Sequence, residues 1–399
     1  MAKGGINAML PRNLGLIIGL AVVFPGVVNA AQWYSESSAR ARSVFDNNIR
    51  LTSKDHNAVV GMELTGTIKA GRRTEATDVN FNGEAGLKKY SGEDNLDTND
   101  LDLGVDATHR TERDQFTFNA AVKLDSTLTS EIQSSGLMQS RKRRIQKNFA
   151  LFWTRSLSER TSLKLGYSHI DTEYKNAKYT GLSNYTYQVI EAMLTHALNQ
   201  KMRISLVLSP SLYKGSNVIK IKTRDLGFKV HINYDFTETF SAGGGVGVRY
   251  SNTEHKSTLV DYENNDSGFI LNANIKRTFE QMIVDGLFSR NVRPSGSGDL
   301  LLTDILSAKV NYEVGPRLNL ILASAVYRNS STDEDDESRD RIYFTFQPQV
   351  RWKMTRRWLV EGSYRYRYQR YESSGLRADS NAIFLSVKYV WPSKPATGL

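Results

Sequence analysis

Cysteine is absent from the 399-residue chain. Its absence excludes disulfide frameworks, Cys-ligated zinc, iron–sulfur clusters and thiol nucleophiles. Long hydrophobic runs are also scarce, and the mean hydropathy is −0.43. A membrane helix needs about 20 consecutive apolar residues, and only one stretch comes near that length. A bundle of membrane helices is therefore excluded, whereas a membrane β-barrel, whose strands are only half apolar, is not.

The single long apolar stretch lies near the N-terminus, after Lys3 and Arg12, and ends in small residues at Ala30. This layout predicts a signal peptide over residues 1–30, cleaved after Ala30. A retained anchor is the alternative, but the stretch is short and broken by Pro25. Cleavage leaves 399 − 30 = 369 residues and removes two basic residues, so the net charge becomes 50 − 42 = +8. An exported chain without cysteine suits the oxidising bacterial envelope.

Apolar residues alternate with polar or small ones along most of the remaining chain. In one such run, Leu226, Phe228, Val230, Ile232 and Tyr234 alternate with polar or small residues. Period two predicts β-strands. Many runs exceed the five or six residues of a typical soluble strand and match the roughly 9 to 11 of a tilted transmembrane strand. The pattern predicts an all-β, antiparallel, up-and-down transmembrane barrel.

The connections between runs alternate in length. Short joints lie at residues 113–114, 158–160, 199–200, 237–239, 280–281, 315–316 and 355–357, and longer polar segments lie at 91–100, 133–144, 176–184, 251–257, 294–299, 330–340 and 373–380. Tight periplasmic turns and longer extracellular loops produce this succession in outer-membrane barrels.

Strand parity gives a count of 18, with 16 as the alternative. Seventeen runs follow from Val59 to Trp391, and a periplasmic N-terminus requires one more upward strand, which we assign to residues 46–53. The stretch 189–197 is the least certain strand because its apolar residues also fit helical spacing. The expected organisation is a periplasmic segment over 31–44, the barrel over 45–392 and a periplasmic tail over 393–399.

Aromatic residues mark the expected strand ends. Those predicted to lie at the membrane interface are Trp153, Phe236, Phe240, Trp352, Trp358 and Trp391. Rings at strand ends suit the lipid headgroup level, so the outer-membrane lipid and lipopolysaccharide are expected partners.

The sequence carries no local catalytic motif. The six histidines are isolated, no two have metal-ligand spacing, and no Gly-x-Ser-x-Gly or His-Glu-x-x-His segment occurs. We therefore predict no catalytic residue, metal or cofactor, although a cluster built from several strands, as in a rim-active hydrolase, stays possible. The acidic run 333–337 and the basic run 141–144 fall in expected outer loops. They can hold cations and lipopolysaccharide phosphates respectively, or be plain solvated surface. The net charge of +8 can be explained without a nucleic acid partner.

The register opposite the apolar one predicts the lumen face. The proposed translocation path comprises Lys164, Lys229, His231, Arg249, Lys276, Lys309, Arg351, Lys353, Arg365, Arg367 and Lys388. A barrel of 16 to 18 strands is wide enough for water, and rings of basic residues select anions. The alternative is that these charges pair across strands and only keep the lumen wet.

The segment Ser43-Val44-Phe45-Asp46-Asn47-Asn48-Ile49-Arg50-Leu51, followed by long regular hairpins, resembles outer-membrane barrels associated with exopolysaccharide export and exosortase (PEP-CTERM) systems. The resemblance implies a channel that exports a polysaccharide with a periplasmic polysaccharide-export protein. Trp391 would be the terminal aromatic for the barrel-insertion machinery. The alternatives are a general or anion-preferring diffusion porin and a rim-active hydrolase.

Overall fold

The computed structural model describes residues 32–54, 56–91, 94–131, 142–176, 180–216, 220–256, 261–331, 340–392 and 394–396. The predicted signal peptide with Ala30 and the acidic run 333–337 lie outside these ranges. In the part of the chain that is described, no helix has the length and apolar character needed to cross a bilayer.

Eighteen antiparallel strands form the wall of a closed barrel. They are β1 (Gln32–Asp46), β2 (Val59–Arg73), β3 (Thr77–Ser91), β4 (Thr98–Arg110), β5 (Asp114–Ser126), β6 (Arg143–Ser156), β7 (Thr161–Lys175), β8 (Asn184–Ala197), β9 (Met202–Ser216), β10 (Lys220–Thr237), β11 (Phe240–Lys256), β12 (Asp261–Thr278), β13 (Met282–Pro294), β14 (Leu300–Glu313), β15 (Leu318–Ser331), β16 (Arg341–Lys353), β17 (Trp358–Tyr371) and β18 (Arg377–Val390). Each strand pairs with its sequence neighbours, and β1 pairs with β18 to close the wall. Every strand thus has a partner on both sides, as a spanning sheet requires, although β12 and β13 pair over only part of their length.

Three short elements accompany the wall. A 3-10 helix (Asp94–Leu96) and α1 (Thr127–Ser130) lie in the loops after β3 and β5, and β19 (Lys394–Ala396) pairs with the start of β1. The predicted tail is therefore partly added to the barrel wall.

The outer surface of the barrel is apolar because alternate residues of each strand point outward. Val248, Phe269, Leu306 and Ile383 are each more than half exposed. A soluble protein does not expose such a continuous apolar band, whereas lipid contact requires one.

The predicted count of 18 strands is confirmed, but the predicted position of the first strand is wrong. The first strand is β1 (Gln32–Asp46), so residues 31–44 are not a periplasmic segment, and residues 46–53 belong almost wholly to the loop after β1. β1 escaped detection because its outward face consists largely of serine and alanine, which give no hydrophobic alternation. The uncertain stretch 189–197 is a strand, within β8.

The short joints all connect strands at one end of the barrel, where β1 begins and β18 ends. This is the periplasmic end in the predicted orientation. The predicted long loop at 251–257 is shorter than expected, since β11 continues to Lys256. Both faces of the strand are polar there, so period two in hydrophobicity disappears while the strand continues.

Candidate channel lumen and its extracellular plug

Every basic residue of the predicted translocation path lies on the inward face, at the parity opposite to the exposed apolar residues. They differ in their partners. Lys229, Lys276, Lys309, Lys353 and Lys388 belong to none of the ion pairs of the described residues. Lys276, Lys309 and Lys353 are exposed although they face inward. Inward exposure means that the periplasmic half of the lumen is open to water.

Some of the predicted path residues pair within the wall. Lys164 Nζ lies 3.0 Å from Glu191 Oε1 on the next strand, and Arg351 Nε donates to Glu361 Oε1 at 2.6 Å. His231 Nε2 lies 3.1 Å from Asn233 Oδ1. Lys164 and Arg351 therefore pair across strands, as the alternative predicted, whereas His231 contacts a residue of its own strand. The two paired residues contribute less to an anion path than unpaired lysines do.

Arg249 is enclosed rather than exposed in the lumen. Its guanidinium is buried and forms an ion pair with Asp266, lies 3.5 Å from Asp225 and donates to Ser251 Oγ at 2.5 Å. Because two carboxylates neutralise this arginine, it cannot serve as a free anion site.

Arg367 has a structural role as well. Its Nη2 donates to Asp46 Oδ2 at 2.9 Å, and Asp46 is fully buried. The same Nη2 donates to the carbonyls of Asn48 and Ile49 at 3.1 and 3.2 Å. Arg365, on the same strand, lies 3.3 Å from Asp46. The prediction that Arg367 lines an open path is wrong, since it is buried against the end of β1 and the loop that follows. Arg365 contacts the end of β1 but remains partly exposed on the inward face.

Residues 47–52 of that loop fold into the barrel. Asn48 donates through its side chain to the carbonyls of Thr52 and Asp379, at 2.8 and 3.0 Å. Gln369 Nε2 donates to the Leu51 carbonyl at 2.7 Å, and Asn47 Oδ1 accepts from the Asn381 amide at 2.7 Å. The Asp46-Asn47-Asn48 segment therefore anchors the loop to β17 and β18.

Apolar residues from several sides of the barrel meet around this loop. Leu51, Leu96 of the 3-10 helix and Leu128 of α1 form a buried cluster with Val59, Tyr343 and Ala378 of the wall. We call residues 47–52, the 3-10 helix and α1 the plug. Its contacts with β2, β16 and β18 place it inside the extracellular half of the barrel on that side.

The tip of the β13–β14 hairpin fills the other side. Val292 and Leu300 pack in a second buried cluster with Tyr174, Tyr185 and Tyr213 of β7 to β9. The Ser183 amide donates to the Gly296 carbonyl at 2.8 Å, which ties the tip to the loop after β7. Tyr174 also donates to Glu131, the residue that ends α1, at 2.5 Å. The hairpin tip and the plug are thus joined to each other inside the extracellular end of the barrel.

A chamber of about 560 Å³ lies beside these contacts. Charged residues such as Arg144, Asp225 and Lys229 share its lining with Val207, Ile270 and Ile305. The chamber is thus neither purely polar nor purely apolar.

Other predicted features are placed as follows. Arg144 of the predicted basic run forms a bidentate pair with Asp125 on the inward face, at 2.9 and 2.7 Å, so it does not face lipopolysaccharide. The six predicted interface aromatics lie at the periplasmic ends of their strands, and Trp352, Trp358 and Trp391 are exposed. Among the described residues, no group of three or more His, Asp or Glu side chains is arranged to hold a metal ion.

Sequence signals for the plug were weak. Leu51, Leu96 and Leu128 are isolated apolar residues in polar loops, which is the one sequence feature that indicates buried loops. Asp46 belongs to the Asp-Asn-Asn segment, but no sequence pattern indicates its partner more than 300 residues away.

Several solved barrels are similar to this chain. OccAB3 of Acinetobacter baumannii is 10% identical, with a TM-score of 0.48 over 91% of this chain and 99% of its own. OprD of Pseudomonas aeruginosa is 12% identical, with a TM-score of 0.45 over 91% and 96%. The ferric-catecholate import receptor Fiu of E. coli K12 is 9% identical, with a TM-score of 0.46 over 89% and 81%.

No family model matches the sequence. No curated protein matches it either. The closed ring of 18 strands, its lipid-facing apolar surface and its alternating short and long connections make this chain a bacterial outer-membrane β-barrel.

Proposed function

We propose that this protein is an outer-membrane channel with a preference for small anionic solutes, closed at its extracellular end by the plug and the β13–β14 tip. The proposal rests on the inward-facing lysines that have no ion-pair partner among the described residues and lie in the water-exposed periplasmic half of the lumen. Rings of basic residues attract anions and repel cations. The plug then controls whether the path is continuous.

The selectivity is tested in planar bilayers with the variant Lys276→Glu/Lys309→Glu. We expect the reversal potential in a KCl gradient to move from anion preference toward cation preference. The matched control is Lys214→Glu/Lys220→Glu, which makes the same charge change on the outer face of β9 and β10, near their extracellular ends. An unchanged reversal potential in the lumen variant, or an equal shift in the control, contradicts the proposal.

A second candidate is the exopolysaccharide-export channel that the resemblance implies. Two observations favour it over a constitutively open porin: the plug and the β13–β14 tip lie inside the extracellular end of the barrel, and Tyr185 and Tyr187 line the chamber. Aromatic rings suit contact with sugar faces, and an obstructed mouth suits a channel opened by a periplasmic polysaccharide-export protein. Deleting the gene should then abolish surface polysaccharide, and unchanged surface polysaccharide rejects this candidate without affecting the first.

A further inference from the structure

The wall of the barrel is split between β12 and β13. Residues 271–278 of β12 pair with residues 283–290 of β13, and the pairing stops there. Above that point, residues 261–270 pair only with β11, and residues 291–294 pair only with β14. The seam between β12 and β13 is therefore hydrogen-bonded in its periplasmic part and unpaired in its extracellular part.

Residues on both sides of the seam disfavour further pairing between β12 and β13. The amide of Val292 is satisfied by Asn291 Oδ1, at 2.9 Å, without the facing strand. Pro294 has no N–H to donate to a ladder. On the opposite side, the charged Asp266 is held by Arg249 of the neighbouring strand. Proline and inward charges are devices by which natural strand edges avoid pairing.

The split begins within the lipid-exposed band. Ile270 is the first residue of β12 that does not pair with β13, and it lies eight positions from Thr278 at the periplasmic end of β12. At about 3.3 Å per residue and a tilt near 40°, this is about 20 Å along the membrane normal. Because the apolar band of such barrels is about 25 Å tall, the split opens at the level of the outer leaflet. Phe269, with 71% of its surface exposed, stands at its edge.

A cavity of about 570 Å³ occupies the split. Its lining combines the inward-facing Arg249 with the outward-facing Phe269 and Leu271, and with Leu302 across the seam. A cavity lined from both faces of a sheet crosses that sheet. Arg249 also lines the chamber, so the two spaces adjoin.

Apolar side chains line one side of the crossing. On the chamber side stand the buried Ile270, Val292 and Ile305. The charges that line the split itself are compensated: Arg249 lies between Asp225 and Asp266, and Arg290 lies 3.4 Å from Asp304. Lys229, outside the ion pairs of the described residues, lies farther in, on the wall of the chamber.

We propose that the split between β12 and β13 is a lateral port that admits an acyl chain from the outer leaflet into the chamber. The occupant follows from position, because acyl chains surround the outer end of the split, and Phe269, Leu271 and Leu302 at the split are followed inward by Ile270, Val292 and Ile305. The test of the port uses no conductance, so the two proposals fail independently.

Engineered cysteines can test whether the seam is open, since the native chain has none to interfere. Continuing the ladder would place Gly268 opposite Arg293, whereas Asn272 and Ser289 are true partners four residues lower. We expect Asn272→Cys/Ser289→Cys to oxidise in membranes, because paired strands bring Cα atoms within disulfide range. Gly268→Cys/Arg293→Cys should stay reduced. Equal oxidation of both pairs overturns the proposal.

Entry of lipid chains is tested by a nitroxide on Gly268→Cys. A Cβ there meets Arg249 no closer than 3.5 Å, so the label is tolerated. The control is Val207→Cys, which faces the chamber and lies in a wall paired on both sides, away from the split. Oxygen, which dissolves in acyl chains, should relax the label at 268 severalfold more, relative to a water-soluble nickel chelate, than the label at 207. The same ratio at both positions overturns the proposal.

Discussion

The two halves of the lumen use the same kinds of side chain for different purposes. In the extracellular half, Arg249 and Arg367 are buried and bound to carboxylates. In the periplasmic half, Lys276 and Lys309 face inward, exposed and outside any ion pair of the described residues. An inward position therefore does not by itself define the role of a basic side chain. Its role depends on whether polypeptide or water occupies the lumen in front of it.

The difference has energetic consequences. A charge in a filled lumen needs a partner, because burial of an unpaired ion costs several kcal/mol. A charge in a wet lumen needs none, and its field acts on the solute instead. Substitutions at matched inward positions should separate the two halves.

The largest effect is expected for Arg367→Met. It leaves Asp46, which is fully buried, without its main partner, and should destabilise the barrel by about 3–5 kcal/mol. Urea unfolding in detergent micelles measures this loss. Arg365→Met is the control, and it should lose less because that side chain remains partly exposed. Equal, small losses in both variants would show that the extracellular half is not filled.

An intermediate effect is expected for Asn48→Ala/Gln369→Ala. These changes remove the hydrogen bonds that hold the plug at Thr52, Asp379 and Leu51, each contributing about 1 kcal/mol. We expect more frequent or larger openings in single-channel recordings. Ser374→Ala, in the exposed loop between β17 and β18, should leave the recordings unchanged. A variant that conducts like the unmodified protein would mean that the plug does not close the path.

The smallest effect on folding is expected for Lys309→Met. This side chain is exposed and has no ion pair to lose, so the free energy of unfolding should change by no more than about 0.5 kcal/mol. Chloride permeability relative to potassium should nevertheless fall, measured from the reversal potential. Strong destabilisation would place Lys309 in a filled environment and remove the contrast between the halves.

Much of the wall could be predicted from the sequence because each transmembrane strand must show lipid on one side and water on the other. β2 to β18 carry this alternation, and their inward residues were assigned to the correct face. β1 does not carry it, since Ser35, Ala39, Ala41 and Ser43 stand where apolar residues were expected. Where small residues face the lipid, the sequence shows no alternation in hydrophobicity, and the strand cannot be predicted from it.

The plug lay beyond sequence reasoning for a different reason. Period two assigns a side chain to a face, but it contains no information on what fills the space in front of that face. Arg367 and Lys309 look alike in the pattern, and only the fold of residues 47–52 distinguishes them. The split seam could not be predicted either, because the sequences of β12 and β13 are both typical of ordinary strands.

The pairing of Asp46 with Arg367 spans 321 residues of sequence. The residues that anchor the loop, Gln369, Asp379 and Asn381 among them, all lie in the last hairpin, which also pairs with β1 to complete the ring. Such distant contacts form late, since the chain between them must first be ordered. Sealing of the wall and seating of the loop therefore depend on the same hairpin. A barrel without that hairpin would have neither.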